Sequence, residues 1–129
     1  MDFEEYRGCV EQIDKLAASG DDRALLKVLS ELTNSDLPDL DRSRLLSQAA
    51  QAHERLNEPD QALAAYDRAA ALETPHHHFQ AAFRKSDYLM RLGRKDESRD
   101  ILKDLLTRPE ATISERHSFE ARLKLLRRV

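Results

Sequence analysis

Tryptophan is absent from this chain, cysteine occurs once, and glycine occurs three times in 129 residues. Each scarcity removes a class of protein. A lone Cys9 closes no internal disulfide, which argues against the stapled extracellular scaffolds and leads us to expect a reducing, cytoplasmic setting. Three glycines are too few for a glycine-rich phosphate loop, and neither Ser47 nor Ser86 lies in a nucleophile elbow. The first residues hold neither a basic region nor an apolar run, so no secretory leader is expected, and no segment approaches the roughly 20 apolar residues that span a bilayer. Aromatic residues are only 5% of the chain, so a core must be assembled from Leu, Ala and Ile. No catalytic constellation and no cofactor motif is found, and an enzyme is not expected.

What is present is repetition. A helix-length stretch, a polar turn, a second helix-length stretch and a proline recur three times. The turns are Gly20-Asp21-Asp22, Asn57-Glu58-Pro59 and Gly93-Arg94-Lys95, about 37 and about 36 residues apart, and the closing prolines are Pro38, Pro75 and Pro109. Periods of this size belong to stacked helical hairpins, none of which can bury its apolar stripe alone. One domain over residues 1–129 is expected, with hairpins over about 3–33, 41–72 and 76–107 and a closing helix over about 112–127.

The stripes can be read residue by residue. Phe3, Tyr6, Val10, Ile13 and Ala17 recur at helical spacing behind an Asp2/Glu5 capping box, and Gly20 ends that helix. Leu25, Leu29 and Leu32 line the second helix. Leu45, Leu46, Ala49, Ala50, His53 and Leu56 form the next stripe, with His53 expected in the core. Asp41 is expected to cap that helix. Pro59 suits the first turn of the following helix, whose stripe is Ala62, Tyr66, Ala69 and Leu72. Phe79, Ala82, Phe83, Ser86, Leu89 and Leu92 precede Ile101, Leu102, Leu105 and Leu106. Thr112 with Glu115 begins a seventh helix carrying Phe119, Leu123 and Leu126, and Arg122, Lys124, Arg127 and Arg128 gather towards its end.

The stretch Leu45–Pro75 resembles a tetratricopeptide repeat. It reads Leu46-x2-Ala49-Ala50-x2-His53, then Ala62-x3-Tyr66 and Ala69. The third hairpin is similar, with Ala82-x2-Lys85-Ser86-x2-Leu89 and Leu92-Gly93; in the first, only the apolar positions match. The resemblance implies an all-α fold, a right-handed α-α superhelix. It also implies a non-catalytic interaction module that binds a peptide or helix of a partner protein on the concave face. A small chaperone or adaptor shielding an aggregation-prone helix is the alternative. By register, the first hairpin would offer Arg7, Val10, Glu11 and Asp14 to that face. The second would offer Arg44, Ser47, Gln48, Gln51 and Arg55, and the third Gln80, Phe83, Arg84, Asp87 and Arg91. The arginines suit carboxylates, the glutamines a peptide backbone, and Phe83 an apolar anchor. Of the chaperone-tail clamp found in one subgroup, only Arg84 matches, and Asp14 would repel a carboxylate.

Other constellations carry less. His76-His77-His78 point in three directions on a helix and cannot converge on one ion, and Asp36, Asp39 and Asp41 lack the glycine and the terminal glutamate of a calcium loop, so no metal is expected. Charge is unevenly placed: residues 1–78 hold 8 Lys/Arg against 16 Asp/Glu, a net of −8, whereas residues 79–129 hold 13 against 8, a net of +5. This asymmetry suits steering of a charged, acidic partner or weak head-to-tail self-association. Acidic residues interrupt the basic third at Asp87, Asp96 and Glu97, which argues against nucleic acid.

Overall fold

The computed structural model describes residues 2–127, and among these the fold is all-α. Seven helices follow one another: α1 (Phe3–Ser19), α2 (Asp22–Thr33), α3 (Asp39–Arg55), α4 (Pro59–Glu73), α5 (Gln80–Arg91), α6 (Lys95–Leu106) and α7 (Ile113–Arg127). A short 3-10 turn, Thr74–His76, follows α4. No described helix is long and apolar enough to cross a membrane. Arg128, grouped above with the basic end of α7, lies outside the described residues.

The hairpin turns share one backbone solution. Gly20, Asn57 and Gly93 each adopt the left-handed conformation, at φ 77°, 58° and 82°. In each turn the following N–H reaches back to a carbonyl five residues earlier: Asp21 to Leu16, Glu58 to His53 and Arg94 to Leu89. The left-handed residue itself donates to Ala17, Glu54 and Met90 respectively. This double closure satisfies carbonyls that a helix end otherwise leaves bare. The junction after α4 repeats it with His77 at φ 59°, where His78 donates to the Glu73 carbonyl. The three histidines therefore sit in a turn, and α5 begins at Gln80 rather than near residue 76.

Two helix starts follow the simple capping rule and one departs from it. Asp2 caps α1 by accepting from the Glu5 N–H at 2.8 Å, and Thr112 and Glu115 exchange reciprocal bonds at 3.1 and 2.8 Å ahead of α7. Asp41, expected as a cap, instead lies inside the first turn of α3, which starts at Asp39 behind Pro38. There its carboxylate still faces the positive end of the helix dipole.

Small residues set how closely the paired helices approach in the second and third hairpins, and larger ones stand there in the first. Seven residues before each left-handed turn residue and five after it, the chain places Ile13 with Leu25, Ala50 with Ala62, and Ser86 with Ser98, all buried. The alanine pair lets α3 and α4 make the most extensive contact in the molecule. In the third hairpin Ser98 Oγ donates to the Ser86 carbonyl at 2.7 Å, satisfying a hydroxyl that burial would otherwise strand.

No hairpin has a core of its own. One cluster joins Ile13 of α1 and Leu25, Leu29 and Leu32 of α2 to Leu45 of α3. The next joins Ala50 of α3 and Tyr66 of α4 to Tyr88 and Leu89 of α5. A third joins Leu102 and Leu105 of α6 to Phe119, Leu123 and Leu126 of α7. Every cluster thus needs the following helix, and the strong packing runs between consecutive helices. Side chains also tie each junction to backbone. Arg42 Nε donates to the Thr33 carbonyl at 3.1 Å, the Ala81 N–H donates to Glu73 Oε1 at 3.0 Å, and Arg116 donates to the carbonyls of Leu106 and Ala111 at 3.0 and 3.3 Å.

Between the first two turns lies a pair of crossed ionic ties. The Arg55 Nε and Nη2 donate to Asp22 Oδ1 at 3.0 and 2.8 Å, and Arg23 forks onto Glu58 at 3.2 and 2.7 Å. His53 Nδ1 lies 2.9 Å from the same Glu58 carboxylate, so this histidine is half-buried and engaged at the surface rather than enclosed in the core. Hydrogen bonds from Arg23 and His53 hold the Glu58 carboxyl below its ordinary value.

Two stability measurements follow. Nothing crowds a Cβ at Gly8 or Gly93, so only the backbone decides: Gly93→Ala is expected to cost about 1 kcal/mol at its left-handed φ, and Gly8→Ala inside α1 to gain about 1 kcal/mol, in urea unfolding. A depressed carboxyl stabilises above its unfolded value, about 4.3, and that contribution is lost as pH falls through the lower folded value. The stability difference between the wild type and Glu58→Gln should therefore shrink on acidification, and a difference constant from pH 7 to pH 3 would contradict the tie.

Candidate functional site

Two adjoining troughs lie where α3 faces α5. The larger, about 470 Å³, is bordered by Gln51, Glu54 and Arg55 of α3, Tyr66 of α4, and Arg84, Asp87 and Arg91 of α5. The smaller, about 200 Å³, is bordered by Arg44 and Ser47 of α3, by Glu73 and His78, and by Gln80 and Arg84 of α5. Arg84 borders both, so the two make one path along the facing helices. From Arg44 to Arg55 the α3 wall rises about 16 Å, at 1.5 Å per residue.

This path collects Arg44, Ser47, Gln51, Arg55, Gln80, Arg84, Asp87 and Arg91, eight of the fourteen residues that register offers to the concave face. Gln48 borders neither trough; its amide oxygen is buried with no hydrogen-bond partner among the described residues. Phe83 is also placed differently. Its ring lies 5.3 Å from Phe119 and beneath the Arg122 guanidinium at 5.8 Å, so α7 already occupies much of the proposed anchor. The exposed part of Phe83 instead borders a separate trough of about 430 Å³ between α5 and α7, with Gln80, Ser114, Ser118 and His77. From the first hairpin, Arg7, Glu11 and Asp14 are exposed on α1 and Val10 is half-buried. None of the four borders the path.

The charged groups of the path fall into two sets. Arg91 pairs with Glu54 at 2.9 Å, Arg55 with Asp22 at 2.8 Å, and Asp87 with Arg122 at 3.1 Å. Each of these joins neighbouring repeats, and so is committed within the chain. Arg44 and Arg84, by contrast, have no carboxylate within ion-pair distance among the described residues. Arg44 is exposed and Arg84 half-buried.

Beneath the larger trough, Tyr66 is almost fully buried and its hydroxyl donates to Glu54 Oε2 in a short contact. Burial first, and that bond second, push the Tyr66 hydroxyl far above its ordinary pKa, so it stays a neutral donor. Glu54 is thereby held between Tyr66 and Arg91. The register reading omitted Glu54 and placed Tyr66 only in the core. A tyrosine twelve residues beyond a glutamate is no sequence signal by itself. The turn brings the two together.

Chemically, the path offers two free guanidiniums and two exposed or half-exposed amides above a floor whose own charges are balanced. Guanidinium groups remain protonated at any physiological pH, so they hold anions rather than exchange protons. Among the described residues, no group of three or more His, Cys, Asp or Glu is arranged to hold a metal ion. No family model matches the chain, and no curated protein matches it at a significant level.

The division of the arginines is measurable without a ligand. Arg91→Glu sets a carboxylate against the mostly buried Glu54 and is expected to cost about 1 kcal/mol, whereas Arg44→Gln and Arg84→Gln stay within about 0.5 kcal/mol of wild type. Equal effects at all three positions in chemical unfolding would refute the division.

Proposed function

We propose that this chain is a tetratricopeptide-like solenoid: three hairpins in a right-handed superhelix, covered at one end by α7, and working as a non-catalytic protein-interaction module. Its inner wall, formed by α3 and α5, takes an acidic peptide or helix of a partner protein. The recurrence of one turn geometry at Gly20, Asn57 and Gly93 supports the repeat reading, as does packing confined largely to consecutive helices.

The observation that carries the ligand class is the pair Arg44 and Arg84, on facing helices of one path and without internal counter-ions. Elsewhere on that face the chain neutralises its own charges, so these two are available to an incoming carboxylate. Each can bind it with two parallel N–H donors. Gln51 and Gln80 lie along the same path, where their amides can bond both the N–H and the C=O of a bound backbone. The net −8 of residues 1–78 would disfavour an acidic ligand at long range; Arg44 is a local exception within that part, and Arg84 belongs to residues 79–129, whose net is +5.

Fluorescence anisotropy with a labelled peptide bearing a run of glutamates tests this on the intact chain. Binding should weaken by about tenfold or more in Arg44→Gln/Arg84→Gln, since hydrogen bonds to charged groups contribute about 1.5–3 kcal/mol each. It should also weaken with added salt. An affinity that ignores the double substitution would reject the site.

A further inference from the structure

The opposite side of the helix array carries two troughs built from equivalent positions, and the difference between them is chemical. In the α4–α6 trough, about 340 Å³, the border includes Asp67, Lys85, Asp100 and Asp104. Lys85 reaches across to Asp67 at 2.6 Å and Arg108 pairs with Asp104 at 3.2 Å, so two ion pairs close within that trough and, among the described residues, Asp100 alone of its charged border groups has none. The α2–α4 trough, about 540 Å³, lies one repeat earlier. With the offsets that superpose the turns, 37 residues from Gly20 to Asn57 and 36 from Asn57 to Gly93, Ser30 stands where Asp67 does. Ala49 likewise stands for Lys85, Ala64 for Asp100 and Arg68 for Asp104.

The earlier trough has therefore lost the bridge that crosses the later one, and the sign at its fourth position is reversed. Its floor and walls include Leu26, Leu46, Ala49, Ala64 and Ala65, and no carboxylate borders it. Arg23, Lys27 and Arg68 border it instead. Glu58 neutralises Arg23, but Lys27 and Arg68, both exposed, have no carboxylate within ion-pair distance among the described residues. This happens within the acidic part of the chain, where cations are the minority.

We infer that the α2–α4 trough is a second docking surface, separate from the inner wall, and that its occupant is an amphipathic helix of a partner protein with carboxylates flanking an apolar ridge. The small residues Ala49, Ala64 and Ala65 let a helix backbone approach closely, as ridge-into-groove packing at 8–10 Å between axes requires. An apolar ridge at i, i+3/i+4 and i+7 lies against the trough floor. Lys27 on α2 and Arg68 on α4 stand on its two sides and meet acidic flanks.

The test uses the intact chain carrying Arg44→Gln and Arg84→Gln, so that the inner wall does not contribute. The probe is a labelled 18-residue helical peptide with a leucine ridge between glutamate flanks, compared with a twin bearing lysine flanks. The glutamate peptide should bind and the lysine peptide at least tenfold more weakly. Lys27→Glu/Arg68→Glu should reverse that preference. Ser30→Asp/Ala49→Lys, which installs the bridge of the later trough, should abolish binding, with circular dichroism and thermal unfolding reporting whether each variant remains folded. Absence of glutamate-peptide binding, or binding indifferent to Lys27→Glu/Arg68→Glu, would overturn the inference. So would dependence on Lys27 and Arg68 for binding phosphatidylserine vesicles without any binding of the peptide.

Discussion

A two-helix hairpin has too little surface to cover its own apolar stripes, and that shortage governs this molecule. Leu25, Leu29 and Leu32 are sealed only when Leu45 arrives from the next hairpin, and Leu102 and Leu105 only when α7 lays Phe119, Leu123 and Leu126 over them. Stability therefore resides between neighbours, and the helices must stay in chain order. Polar ties reinforce the same steps. Arg55 with Asp22, Arg91 with Glu54, and Arg122 with Asp87 each cross from one repeat to the next.

Those ties have a consequence for recognition. An arginine that holds the preceding repeat is occupied, and removing it disturbs the stack as well as the surface. An arginine without such a partner is held in place by its helix yet keeps its guanidinium donors open. Arg44 and Arg84 belong to the second kind, on a floor whose Glu54 is balanced by Tyr66 and Arg91. The reverse side follows the same logic: Lys85 and Asp67 close one trough, while Ser30 and Ala49 leave its counterpart open.

Much of the fold was legible in advance because it rests on local physics. The period of the apolar residues located the helices. Gly20 and Gly93 marked turns where a left-handed φ is needed, and Asn57 did so as one of the few other residues that tolerate it. The Thr112/Glu115 capping box marked the start of α7. Legibility failed where a local rule competed with a neighbour. Asp41 seemed a cap, but the chain enters α3 directly behind Pro38. His53 matched a buried stripe, yet Glu58 holds its ring near the surface. Phe83 matched an inner-wall position, but the ring stacks against Phe119, which is 36 positions further along the chain.

Helix number and the three hairpin turns were set by the sequence itself, because helical periodicity and left-handed turns depend on residues only a few positions apart. Which charges remain open was decided by tertiary structure alone. Arg44, Arg55, Arg84 and Arg91 look alike in the sequence. A carboxylate delivered by another helix separates them, since an ion pair depends on a few ångströms of three-dimensional distance that no spacing along the chain encodes.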